Sequence, residues 1–186
     1  LIYDKTGDEH YDIISAFIKS MRGSDSDATL YYMARMLASG EDSLFIARRM
    51  VIFAAEDVGL ADPQALILAQ NALQALKEIG MPEGRIILSE VGIYLALAPK
   101  SNASYLAIEK ALSAIKEGKI APVPDHLKDS HYKGAKSLGR GIGYRYPHDY
   151  EGHWIKQDYL PERYKDLVFY HPDENAIYQK RRKDDE

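Results

Sequence analysis

The chain has 186 residues, 46% hydrophobic and 28% charged, with no cysteine and a net charge of −4. That composition excludes wholesale disorder, disulfides, thiolate metal centres and cysteine nucleophiles, and no apolar run approaches the roughly 18 residues a membrane span needs. The charge is uneven: residues 1–118 hold 11 Lys and Arg against 16 Asp and Glu, residues 119–186 hold 13 against 12, and eight of the fourteen tyrosines follow residue 118.

The first residue is Leu1, and Leu1-Ile2-Tyr3-Asp4-Lys5 has neither the basic nor the apolar region of a signal peptide. The chain is expected to begin partway through a longer protein. From Glu9 to Arg22, Tyr11, Ile14, Phe17, Ile18 and Met21 form one stripe at helical spacing, with Asp8 as N-cap and Gly23 as stop. Ser24 or Asp25 caps a second helix, with Leu30, Met33, Ala34 and Leu37 on its face. Asp42 or Ser43 opens a third that ends near Gly59. Asp62-Pro63 opens a fourth, an N-cap followed by proline at the first helical position, with Ala65, Ala69, Ala72, Leu73 and Leu76 in register. Pro82 opens a fifth, with Ile87, Val91, Tyr94 and Ala98 on one face. Ser101 caps a sixth, with Tyr105, Ile108, Leu112 and Ile115 in register before Gly118.

No segment alternates as a half-buried strand does, so the fold class is all-α: a compact bundle of about six helices over residues 1–118. Residues 119–186 are rich in proline, glycine and tyrosine and lack long apolar stripes. They predict an irregular basic, aromatic-rich extension packed on the bundle or on a neighbouring subunit, with short helices near His126–Leu138 and Pro161–Leu167. The last residues, 180–186, read as a frayed charged tail.

The third helix is apolar nearly all round, which predicts a central position. Its charges, Arg48, Arg49, Glu56 and Asp57, need partners or solvent, and Arg49 lies seven residues before Glu56 on the same face. A structural ion-pair network, a functional carboxylate pair and a subunit contact are the three readings. Val51–Asp57 superficially resembles an apolar strand with an acidic pair, but no G-x-x-x-x-G-K-[ST] phosphate loop occurs in the chain, so this chain alone is not expected to hydrolyse ATP. His126 and His131, like His148 and His153, are five apart, which turns the second ring off the face of the first on a helix. No metal site is expected, and no serine sits in a G-x-S-x-G elbow.

From His126 to Tyr146 the cations Lys128, Lys133, Lys136, Arg140 and Arg145 face one acid, Asp129, with tyrosines interleaved and Gly139-Arg140-Gly141-Ile142-Gly143 among them. Basic residues with aromatics suit a single-strand surface. They equally suit a subunit interface or a solvated loop.

Several segments have a familiar order: Gly7–Asp12, Ile14–Asp25, Ala47–Val51 continuing to Glu56–Pro63, Ile79–Gly84, Ala98–Asn102, Tyr144–Tyr150 and Tyr159–Pro161. Together they resemble the C-terminal region of the replication-associated recombination protein A family, the MgsA or Werner-helicase-interacting AAA+ ATPases, over nearly the whole chain. The resemblance implies an N-terminal AAA+ module related to clamp loaders, upstream of Leu1, that holds ATP and Mg. This chain itself would take no cofactor. It also implies a helical collar that assembles a homotetramer, DNA contact through the full-length protein at stalled forks, association with single-stranded DNA-binding protein, and a cytoplasmic, nucleoid-associated location in bacteria with no membrane contact. No catalytic residue is implied in this region. The alternative is a stand-alone helical nucleic-acid-binding module using residues 126–146. A small enzyme built on Glu56, Asp57 or the histidines is the third hypothesis.

Overall fold

The computed structural model of the protein describes residues 7–180. The opening pentapeptide and, apart from Lys180, the charged tail at 180–186 lie outside them. All regular structure among the described residues is helical, with no strand among them. They form two compact units, residues 7–108 with 170–180 and residues 109–169.

The first unit holds α1 (Asp8–Arg22), α2 (Ser26–Ala38), α3 (Ser43–Phe53), α4 (Gln64–Ile79) and α5 (Gly84–Leu97). Three of the caps follow residue type, but α1 begins at Asp8 itself, with Gly7 at its N-cap and no side-chain cap, so Asp8 is an acidic first-turn residue rather than the cap. The Asp25 side chain accepts from the Ala28 amide, Asp42 from Leu44 and Asp62 from Gln64. The expected face of α4 is buried in full, from Ala65 to Leu76. On α2 the buried residues are Thr29, Met33 and Met36, while Ala34 faces solvent.

The central helix is α5, not α3. It packs against α1, α2, α3 and α4, whereas α3 packs on α4 and α5. Leu88 and Leu95 are fully buried in the core it shares with Phe17, Met21, Met50 and Phe53. Gly92 makes one of these contacts possible: a Cβ there would lie 2.8 Å from Met33 Cε.

After Phe53 the α3 rotation widens into a π-helical turn, Ala54–Val58, and then tightens into a 3-10 turn, Gly59–Ala61. Such a π turn shifts the register of side chains along a helix. Here it carries Asp57 inward and leaves Ala55 exposed.

α6 (Ala103–Lys116) starts in the first unit and runs into the second. Beyond it the second unit is built from 3-10 turns at Asp125–Leu127, Lys136–Leu138, Pro147–Asp149, Glu151–His153 and Glu162–Tyr164. Of the two short helices expected, the one at 126–138 is replaced by two separate 3-10 turns at its ends and the one at 161–167 is reduced to a single turn. Gly139, left-handed with φ 78°, ends one of them. Within residues 109–169 only Ala114 and Ala135 are buried, so the second unit encloses almost no core of its own.

Candidate functional site

Three of the sequence segments that carry the resemblance meet in the first unit. Arg22 closes α1, Asp57 sits in the π turn, and Lys100 and Ser101 follow α5. The Arg22 guanidinium donates to Asp57 through Nε to Oδ1 at 2.6 Å and through Nη2 to Oδ2 at 3.2 Å. This two-pronged geometry is the strong form of a charge-assisted pair, and it raises the Arg22 pKa, mainly through the hydrogen bond, against the opposing effect of burial. The Asp57 backbone carbonyl accepts from the Ser101 amide at 2.9 Å. Lys100 donates to the Ala96 and Ala98 carbonyls at 2.9 and 2.6 Å and to Ser24 Oγ at 3.2 Å. Its ammonium thus covers the carbonyls left open at the end of α5. Burial pushes its pKa down, with Asp57 pulling the other way.

A returning segment, residues 170–180, fastens to the same place. Ser101 Oγ donates to Asp173 Oδ2 at 2.6 Å, Asn175 Nδ2 to the Lys100 carbonyl at 2.9 Å, and the Ile177 amide to the Leu60 carbonyl at 2.9 Å. Ser101 is only 4% exposed, and Ala176, in the returning segment, is buried too. Gly59 completes the junction with φ 50°, where a Cβ would stand 2.7 Å from the Ser101 carbonyl oxygen.

The four charged residues expected on the third helix do not form one network. Asp57 pairs with Arg22, thirty-five residues away. Arg48 lies 3.9 Å from Asp42. Arg49 Nε is buried with no hydrogen-bond partner among the described residues, and Glu56 acts on Arg22 through its charge, adding to the effect of Asp57. The partner of Asp57 was invisible from spacing because the pairing depends on how α1 packs and on the π turn.

The α6 stripe forms at the expected spacing but is not buried. Tyr105, Ile108, Leu112 and Ile115 are 40, 54, 58 and 54% exposed. Further along, Ile120 and Val123 are exposed as well, as are Tyr132, Tyr144, Tyr146 and Tyr159. An apolar stripe left open along one helix marks an interaction face.

The basic residues of 126–146 scatter. Lys128 pairs with Asp125 at 2.5 Å, and that contact holds the Asp125 carboxyl below its usual range. Arg140 donates from Nε to the Asp129 carbonyl at 2.9 Å and lies over the Tyr132 ring. Lys133 and Lys136 are exposed, and Arg145 lines a cleft with Lys156. His126 Nε2 donates to the Asp158 carbonyl at 2.7 Å, His131 pairs with Asp129, and the Nδ1 atoms of His148 and His153 stand 3.0 Å apart. Among the described residues, no three histidine, aspartate or glutamate side chains gather as a metal site. No helix of the described residues is long and apolar enough to cross a membrane.

Compared with known proteins, residues 23–185 match the family described as MgsA AAA+ ATPase C terminal, and residues 1–22 match the AAA C-terminal domain family. The chain is 51% identical to Replication-associated recombination protein A of Bacillus subtilis over 95% of its own length and 42% of the relative's. It is 40% identical to the Escherichia coli K12 protein of the same name, over 94% of this chain and 39% of that one. It is 44% identical to ATPase WRNIP1 of Dictyostelium discoideum, over 91% of this chain and 20% of that one. The chain thus spans well under half the length of these relatives.

Proposed function

The chain belongs to the MgsA AAA+ ATPase C-terminal family, and from that premise we propose that it is the oligomerisation and interaction module of a longer clamp-loader-like ATPase acting in DNA replication, recombination and repair. In this reading the module assembles a homotetramer, and the ATP and Mg chemistry belongs to a motor carried elsewhere in the full-length protein. DNA at stalled forks and single-stranded DNA-binding protein are partners of that whole protein, which works in the bacterial cytoplasm at the nucleoid. This chain contributes assembly rather than catalysis.

The observation that carries the reading is the α6 stripe. Tyr105, Ile108, Leu112 and Ile115 follow the spacing of a core-facing helix, yet all four stand open to solvent. Burying an Ile or Leu fully is worth about 1.5–3 kcal/mol, so a second copy laid along this helix gains what the monomer forgoes. The second unit supports the same conclusion, because its exposed tyrosines have the amphipathic character of interface anchors.

Light scattering on the chain at high micromolar concentration tests the reading. A tetramer is expected for the wild type, and Ile108→Glu/Leu112→Glu should dissociate it while leaving helical content unchanged. A wild-type monomer at that concentration refutes the proposal, as does a double variant that assembles normally.

A further inference from the structure

Two cavities in the second unit share a wall. One, of about 360 Å³, is lined by His126, Lys128, Ser130, Tyr144 and Tyr159 among others. The other, of about 530 Å³, is lined by His126, Gly143, Arg145, Lys156, Gln157 and Asp158 among others. His126 belongs to both. Each falls within the range of about 300–1,000 Å³ usual for small-ligand sites.

The two differ in chemistry. The first presents two tyrosines, with Lys128 and Asp129 balancing each other in charge on its wall. The second presents two cations, Arg145 and Lys156, against one carboxylate, Asp158. The cleft therefore keeps an excess of positive charge of the kind that holds an anion, and an arginine fork suits phosphate oxygens in particular.

One side chain ties the two cavities together. Gln157 Oε1 accepts from the Arg145 amide at 3.2 Å, and its Nε2 donates to the Arg145 carbonyl at 2.6 Å and to the Tyr159 hydroxyl at 2.9 Å. A single carboxamide thus fixes the backbone of the cation in one cavity and the ring of the aromatic in the other. His126, bonded through Nε2 to the Asp158 carbonyl, holds the shared wall to the same stretch of chain.

We propose that these cavities form one nucleoside-phosphate site, with the base against Tyr144 and Tyr159, the phosphate between Arg145 and Lys156, and Gln157 as a positioning residue for both. The occupant is one nucleotide of a single strand. A base that enters a cavity has left its duplex stack, and aromatic stacking accepts any base because each has a π face. Free mononucleotide offers the same chemistry. The site goes beyond the assembly role and does not rest on it.

The test titrates the 186-residue chain into a fluorescein-labelled oligo-deoxythymidine, single-stranded or annealed to its complement, with free thymidine monophosphate as competitor. The single strand should bind more tightly than the duplex. Arg145→Ala/Lys156→Ala should weaken binding by about tenfold or more and flatten the dependence of log K on log salt by roughly 0.7 for each phosphate no longer neutralised. Tyr144→Leu/Tyr159→Leu should weaken binding by about tenfold at unchanged salt slope, and Gln157→Ala should weaken it as well. Competition by the monophosphate makes free nucleotide an occupant too, and its failure restricts the site to strands. Should the alanine pair fail to fold by circular dichroism, Arg145→Gln/Lys156→Gln replaces it. Equal affinity in wild type and both double variants overturns the proposal, as does a full loss produced by Lys133→Ala/Lys136→Ala, which touch neither cavity. Light scattering on the same samples separates loss of the site from loss of assembly.

Discussion

Arg22 and Asp57 meet side-on across the first unit, with two nitrogens of one guanidinium on two oxygens of one carboxylate. The two ends are unequal. Asp57 is 8% exposed, whereas Arg22 reaches solvent along half its side chain. Deleting the arginine strands a nearly buried carboxylate, while neutralising the aspartate leaves a cation that water can cover. Arg22→Ala should therefore cost more than Asp57→Asn, about 1–3 kcal/mol against less than that. Urea midpoints of the two variants measure the order, and equal or reversed costs contradict it.

Gly59→Ala should be harmful for two separate reasons. Its φ of 50° with ψ of −132° is a backbone region that side chains avoid, and the added Cβ meets the Ser101 carbonyl oxygen. Strain of this type costs about 1–3 kcal/mol, and in a chain of this size each kcal/mol lowers the melting temperature by roughly 2–4 °C. A melting temperature within a degree or so of wild type counts against the collision.

Tyr94 donates its hydroxyl to Asp62, and that hydrogen bond, with burial and the nearby charge, pushes its pKa from 10.0 to about 12. A folded-state pKa above the unfolded one means the protonated ring favours the fold. That contribution is complete below pH 10 and is lost as pH rises toward 12. Ultraviolet titration of the phenolates should show one late-ionising tyrosine that disappears in Tyr94→Phe. A common transition in both proteins removes the assignment.

Asp173→Ala tests the fastening of residues 170–180. The substitution removes the Ser101 hydroxyl's acceptor and the turn bonds to the Asn175 and Ala176 amides. Amide hydrogen exchange at Ile177, bonded to Leu60, should quicken by about tenfold or more while Leu88 in the core keeps its rate. An unchanged Ile177 shows that the apolar contact of Ala176 suffices.

The helices were readable where local chemistry decides them. Asp25, Asp42 and Asp62 cap as their residue type dictates, and the α4 face is buried as its spacing requires. What packing decides was not readable. The centrality of α5 depends on Gly92 admitting Met33. The partner of Asp57 depends on a π turn that no residue pattern announces. On α6 the period was legible, but period alone cannot say whether a stripe meets its own chain or another. Among the basic residues the sequence drew attention to charge between 126 and 146, yet the second cation of the cleft, Lys156, and the organising Gln157 lie outside that window. Neither belongs to a charge run, and they come near Arg145 only because the chain doubles back.

The fastening at Ser101 and Leu60 also fixes what kind of object the second unit is. The chain leaves the first unit at residue 108 and is back in it at residue 170, so residues 109–169 are an insertion with both ends anchored. A protease cut among the exposed turns would not release a tail. The piece after the cut would still be tied to the first unit by the bonds of Asp173 to Ser101, Asn175 to Lys100 and Ile177 to Leu60.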